Sequence, residues 1–209
     1  MCGIVGIVGD RPVSERLVDA LKRLEYRGYD SAGVATLDHG VMDRRRAEGK
    51  LFNLETKLAQ QPLPGLIGIA HTRWATHGVP NEANAHPHFV EGVAVVHNGI
   101  IENFSELRDE LVADGATFTS QTDTEVVAQL LARFRRQGLD HKGAMLAMLN
   151  RITGAYALVV MFADDPPQLF AARFGPPLAI GHGKGEMFLG SDAIALSPFT
   201  NQITYLVDG

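Results

Sequence analysis

The chain opens Met1-Cys2-Gly3-Ile4-Val5-Gly6-Ile7-Val8-Gly9. From Gly3 onward this stretch is apolar, rich in β-branched residues and short, so it reads as a buried strand. Gly3 and Gly6 let another backbone come close. Cys2, the single cysteine of the chain, stands at the head of this strand.

The order of elements beyond this strand sets the fold class. Val13, Leu17, Val18, Leu21 and Leu24 recur at helical spacing over residues 13–24. The turn-rich EYRGYDSAG leads into a strand at VATL. LFNLETKLA reads as a helix and GLIGIAH as a strand, followed by a long polar loop from Thr72 to His88. GVAVVHNG reads as a strand that stops at Asn98-Gly99. Residues 103–114 form a helix in which Asn103 and Glu106 have capping-box spacing and Gly115 gives the stop. TDTEVVAQLLARFRRQG is a helix with Thr122 or Asp123 as its N-cap, and another covers about 141–151. After Gly154 come the short strands AYALVVMFA, QLFAAR, PLAIG, EMFLG and QITYLV, with a short helix at SDAIALSP. This mixture lacks strict βαβ alternation and argues against a parallel doubly wound sheet. Two antiparallel sheets with helices segregated outside them fit better. No linker or internal repeat divides the chain, and residues 1–209 are read as a single domain.

Composition excludes several roles. Nineteen Lys and Arg stand against 24 Asp and Glu, a net charge of −5, so bulk charge gives no attraction for nucleic acid or an anionic membrane. The one basic cluster, Arg44-Arg45-Arg46, suits a solvated surface turn. Apolar stretches such as Tyr156–Ala163 fall far short of the ~18 residues that span a bilayer. The apolar N-terminus lacks a basic region before it and is not a signal peptide. A lone cysteine forms no intrachain disulfide, and the cytoplasm is the expected compartment.

Four places carry possible chemistry. Removal of Met1, which aminopeptidases allow before a small side chain, would leave Cys2 with a free α-amine of pKa about 7.7–8.0. A thiol beside its own amine is a nucleophile and base in one residue; a small core residue is the plainer reading. In HTRWATHG, Arg73 offers a fork of donors for a carboxylate, Trp74 a flat cover, and Thr76 and His77 short-range donors. Arg73 in a structural ion pair and Trp74 as core are the alternatives. Asn98-Gly99 is either a turn or a pair of donors, side-chain amide and backbone N–H, for an oxyanion. Asp123 either caps its helix or holds a substrate ammonium. His71, His77, His86, His88 and His97 raise the question of a metal, but their spacings match no standard zinc pattern and no second cysteine exists.

Taken in order, MCGIVGIVG, RLEYRGYDSAG, HTRWATHG, NAHPH, VHNGIIENF and TDTEV resemble the glutaminase domain of the class II glutamine amidotransferases, the N-terminal nucleophile group. The likeness is to the glucosamine-6-phosphate synthase branch. Tyr26 and Trp74-Ala75 stand where the amidophosphoribosyltransferase branch carries a histidine and a Tyr-Ser pair. The resemblance runs from Cys2 to about the end of the chain. It implies an α+β fold, a four-layer αββα sandwich of two antiparallel sheets. It implies Cys2 as nucleophile, Asn98 and Gly99 as oxyanion hole, Arg73 on the glutamine carboxylate and Asp123 on its ammonium. Trp74, Thr76 and His77 would belong to the loop that closes over glutamine, Arg27 would help place the nucleophile, and His86 would support the pocket. It implies no cofactor and no metal. Its partner would be an isomerase domain of the same polypeptide, absent here, so the chain is expected to be a fragment of a homodimeric enzyme. Another class II amidotransferase or a non-catalytic glutamine sensor are the rival readings.

Overall fold

The computed structural model describes residues 2–164 and 167–208; Met1, whose removal the sequence reading invokes, lies outside them. The first strand, β1 (Gly3–Val8), forms as expected and is buried over nearly its whole length. Its side chains divide between two different cores. Ile4 joins one hydrophobic cluster, whereas Val5 and Ile7 join another on the opposite face. A strand that is apolar on both faces needs cover on both, and this requirement produces layers.

The further strands are β2 (Ser31–Asp38), β3 (Val41–Glu48), β4 (Ile67–Arg73), β5 (His88–Val90), β6 (Val93–Ile101), β7 (Gly154–Phe162), β8 (Gln168–Phe174), β9 (Ala179–His182), β10 (Met187–Gly190) and β11 (Ile203–Tyr205). They build a seven-stranded sheet in the order β11-β9-β10-β1-β4-β2-β3 and a four-stranded sheet in the order β5-β6-β7-β8. Every pairing among the described residues is antiparallel. The helices are α1 (Ser14–Lys22), α2 (Leu51–Gln60), α3 (Phe104–Ala113), α4 (Thr124–Arg136), α5 (His141–Leu149) and the short α6 (Ala193–Leu196).

Three buried clusters correspond to the three interfaces of a four-layer stack. Leu17, Leu21, Leu51 and Leu54 of α1 and α2 pack on Val5, Ile7 and Val34 of the larger sheet. Between the sheets, Ile4, Ile69 and Leu37 meet Val96, Ala157 and Val159. Beyond the smaller sheet, Val93, Val95, Leu158 and Val160 are covered by Val127, Leu130 and Leu131 of α4 and by Met145 and Met148 of α5. The period-2 alternation along β6 and β7 therefore sends each successive side chain into a different layer. This is the αββα sandwich.

Four local expectations are corrected. Asn98-Gly99 does not end its strand. β6 runs on to Ile101, with Asn98 opposite Ala157 and Gly99 opposite Tyr156. The apolar residues 100–101 continue the pairing, so the turn signal is overridden by the sheet. Arg44-Arg45-Arg46 is no surface turn but the middle of β3, paired with Val34 and its neighbours on β2. Asn103 makes no side-chain cap for α3. It instead spans to the loop before β7, donating to the Arg151 carbonyl and accepting from the Thr153 N–H, 2.8 and 2.9 Å. Finally, the Asp123 carboxylate does not cap α4. The cap-like contact falls to Thr122, whose Oγ1 accepts from the Glu125 N–H at 3.3 Å.

Candidate active site

Antiparallel pairing of β1 with β4 sets Gly3 opposite Thr72 and Ile4 opposite His71. Cys2 thus emerges beside the end of β4, next to Trp74. The Trp74 N–H donates to Cys2 Sγ at 3.2 Å. The strand edge fixes a residue that would otherwise fray at a chain end. Cys2 is half-buried, and burial pushes its thiol pKa up from the ordinary value. The thiol is therefore neutral near pH 7 and needs a base to become a nucleophile.

A cavity of about 520 Å³ opens beside it. Of the ten residues singled out from the sequence, nine line this cavity: Cys2, Arg27, Arg73, Trp74, Thr76, His86, Asn98, Gly99 and Asp123. Arg73, Asn98 and Gly99 come from the two sheets and Cys2 from the head of β1, Asp123 from the start of α4, Trp74, Thr76 and His86 from the loop between β4 and β5, and Arg27 from the turn after α1. His77 stands behind this lining. Its ring packs edge-on to Phe104, and its Nδ1 lies 3.9 Å from Asp123 Oδ1.

Asn98 donates from Nδ2 to the Cys2 carbonyl oxygen at 3.2 Å. Gly99 has a φ of +130°. A Cβ there would sit 2.0 Å from the Ala155 carbonyl oxygen, so only glycine fits this point of β6. Arg73 is buried at the end of β4, and burial lowers its pKa from the usual guanidinium value. Its guanidinium donates to the His77 carbonyl and more weakly to those of Gly78 and Val79, so it also ties down its own loop. Asp123, buried as well, accepts the Ile101 N–H at 2.8 Å through Oδ2. Arg73 and the Asp123 carboxylate thus face a common space, which Arg27, paired with Asp192, also lines; a cation and a carboxylate so placed are complementary to the carboxylate and ammonium of a free amino acid.

Trp74 is half exposed at the rim and packs over Gly28, where any Cβ would meet its ring at 2.7 Å. Arg27, in a single 3-10 turn (Glu25–Arg27), forms an ion pair with Asp192 and donates to the Tyr26 hydroxyl. His86 is buried and packs against His71, the two rings tilted by 37° with centroids 4.2 Å apart.

Sequence reasoning passed over several residues that shape this region. Asp30 receives the Ala75 N–H at 2.5 Å and its own N–H donates to the Arg73 carbonyl at 2.7 Å, which anchors both sides of Trp74. Asp30 stood inside the quoted GYDSAG run, where an Asx-type loop anchor was a readable possibility. Thr122, Thr124, Pro176 and Pro177 also line the cavity. The two prolines lie in the short connection between β8 and β9, where they read only as turn residues. The arginine triplet, read from the sequence as a solvated turn, also shapes this region. Arg44 donates to the Pro87 carbonyl at 2.9 Å, and Arg46 to those of Ala83 and Ala85 at 2.9 and 2.8 Å. These bonds hold the loop that delivers His86. Two further histidines stand on strands rather than in the loop and meet threonine hydroxyls: His88 of β5 has its Nε2 2.9 Å from Thr122 Oγ1, and His97 of β6 has its Nδ1 3.0 Å from Thr124 Oγ1.

A cysteine at the head of the first strand of an αββα sandwich, facing an asparagine and a glycine on the opposing sheet, defines the class of N-terminal nucleophile amidotransferases. The chain belongs to the glutamine amidotransferase domain family, whose profile matches residues 71–198. It is 81% identical over all 209 residues to the glutamine–fructose-6-phosphate aminotransferase (isomerizing) of Agrobacterium fabrum, strain C58, and 75% identical to that of Rhizobium meliloti, strain 1021. In both cases the whole of this chain is covered and 34% of the relative, so the chain spans about a third of the length of these curated relatives. Among solved structures it resembles the glutamine phosphoribosylpyrophosphate amidotransferase of B. subtilis, with a TM-score of 0.81 and 26% identity over 98% of this chain and 44% of that one.

Proposed function

We propose that this domain hydrolyses the side-chain amide of L-glutamine to glutamate and ammonia. The observation that carries the reading is the convergence of Cys2, Asn98, Arg73 and Asp123 on one cavity. In this reading Arg73 binds the α-carboxylate and Asp123 the α-ammonium, which leaves the side-chain amide directed at Cys2. Loss of Met1 frees the Cys2 α-amine, which takes the thiol proton, directly or through water, as sulfur attacks the amide carbon. The oxyanion that forms is held by the Asn98 Nδ2–H and the Gly99 N–H, donors worth about 2.7–4 kcal/mol of barrier each. The ammonium so formed returns its proton to the departing nitrogen, and ammonia leaves. Water then cleaves the γ-glutamyl thioester, giving glutamate and the free thiol. Closure of the loop bearing Trp74, Thr76 and His77 excludes water from the first step, while Arg27 and His86 shape the floor of the site.

Residues 1–209 are read as one glutamine amidotransferase domain of a longer polypeptide. Identity of 81% to a glutamine–fructose-6-phosphate aminotransferase supports ammonia passing to an isomerase region that converts fructose 6-phosphate to glucosamine 6-phosphate. Such an enzyme would act as a cytoplasmic homodimer. The lower identity to the phosphoribosylpyrophosphate amidotransferase, 26%, makes that acceptor the weaker reading.

The test is ammonia release from glutamine by protein whose N-terminal mass is known. It is repeated after treatment with an electrophilic glutamine analogue and with Cys2→Ala. Activity confined to chains lacking Met1, with the analogue mapped to Cys2, is the expected result. An active Cys2→Ala protein would sink the proposal.

A further inference from the structure

His71 lies on β4 of the larger sheet, fully buried, and reaches across the gap between the sheets to β6. Its Nε2 lies 3.0 Å from the His97 carbonyl oxygen and 3.0 Å from Asn98 Oδ1. A carbonyl oxygen only accepts, so Nε2 is the protonated nitrogen of the ring. Nδ1 is buried without a hydrogen-bond partner. An N–H there would be left unsatisfied in a dry environment, so the imidazole is neutral, with its proton on Nε2. Burial agrees, holding the pKa down to about 3.

An amide has two ends of opposite polarity and similar shape. With Oδ1 held by His71, the Asn98 amide presents Nδ2 toward Cys2, where it donates to the Cys2 carbonyl oxygen at 3.2 Å. One Nδ2 hydrogen makes that contact and the second remains for a ligand. Turned over, the same side chain would present a lone pair to any oxyanion formed at the nucleophile, exchanging an attraction for a repulsion. We propose that His71 is a positioning residue for the oxyanion hole: its neutral Nε2–H fixes the polarity of the Asn98 amide so that Nδ2 faces the reacting carbonyl. This rests on the reading of Asn98 as an oxyanion donor. His71 touches neither substrate nor nucleophile and acts wholly through Asn98.

The geometry supplies its own controls. Leucine at position 71 fills much of the space without a donor. Glutamine carries an amide N–H to about the reach of Nε2, whereas asparagine is one methylene too short. The measurements are kcat and KM for glutamine hydrolysis, together with the rate at which iodoacetamide alkylates Cys2, a displacement that uses no oxyanion hole. His71→Leu is expected to lower kcat roughly 10²-fold, the scale of losing one oxyanion donor. KM and the alkylation rate should stay within about threefold, because neither depends on transition-state charge. His71→Gln should recover about tenfold or more of the lost kcat, and His71→Asn should not. In an Asn98→Ala background, His71→Leu should change kcat by no more than a factor of about two, since the group it positions is gone.

Two results overturn the inference while leaving the glutaminase reading standing. One is a His71→Leu enzyme with kcat near that of the parent. The other is an equal loss from His71→Leu with and without Asn98. Should His71→Leu fail to fold, equal kcat for His71→Gln and His71→Asn overturns it. A parent chain without glutaminase activity removes the reading of the site, and this inference with it.

Discussion

A Cβ built on Gly33 would lie 2.2 Å from the carbonyl oxygen of His86. The residue in the middle of β2 thus provides the floor on which the histidine-bearing loop rests. Neither partner can give way. Gly33 is paired on both sides, to Arg46 and to His71, and the loop is tied to Arg44 and Arg46 through its carbonyls.

Gly33→Ala is therefore expected to lift the loop and to displace His86 from the cavity. Overpacking against backbone costs roughly 1–3 kcal/mol or more. The urea midpoint should fall and glutaminase activity should fall further than stability. An alanine variant with parental midpoint and activity would show that the loop does not rest there.

Arg46→Met keeps the bulk of the side chain and removes the donors to Ala83 and Ala85. The Ala83 carbonyl is exposed and can turn to water, but leaving that of buried Ala85 unpaired costs about 1–3 kcal/mol. Burial and the neighbouring Arg44 hold the Arg46 pKa down to about 10, so part of this loss is offset by relief of like-charge repulsion. Equilibrium unfolding should place the variant at the lower end of that range, with reduced glutamine turnover. A gain in stability would mean that repulsion outweighs the two bonds.

Arg73→Ala should act mainly on KM for glutamine, because a substrate carboxylate loses its two-pronged donor. Charge-assisted hydrogen bonds contribute about 1.5–3 kcal/mol, or roughly 10- to 100-fold in KM. Arg73→Lys should recover only part, since an ammonium offers no fork. A KM equal to that of the parent in Arg73→Ala would remove Arg73 from substrate binding.

Acid should destabilise the fold in a particular window. His71, His86, His88 and His97 are fully buried, and burial lowers all four from 6.5. A group whose folded pKa is depressed in this way gains its proton on unfolding. Its contribution is fully present above pH 6.5 and is lost as pH falls toward the folded value, about 3 for His71. Each proton taken up adds a slope of about 1.4 kcal/mol per pH unit. The Glu110 carboxyl, held at about 2 by Arg151 and Arg133, loses its ion pairs only below 4.5. Urea midpoints between pH 7 and pH 5 should therefore fall steeply, and a flat profile over that range would contradict neutral buried histidines.

The sequence alone determined the layered class of fold and named nine of the residues that line the candidate site. Both were written in local patterns. Strands such as β1 and β7 announce themselves by short β-branched runs, and the helices by their 3.6-residue period. The site residues are carried by contiguous motifs at a chain end, at a strand end and in one loop. Tertiary structure decided what those residues do to one another. Asn-Gly reads as a turn in isolation, yet pairing with Ala157 and Tyr156 keeps it extended within β6. Arg44 and Arg46 read as solvated, yet their carbonyl partners lie about forty positions away, in residues 83–87. His71 reads as one histidine among five, and its meaning depends on Asn98, 27 positions along the chain and on the other sheet. Propensity and periodicity act over a few neighbouring residues. The polarity of an amide, the protonation of a buried ring and the partner of a guanidinium are set by groups that only folding brings within 3 Å of one another.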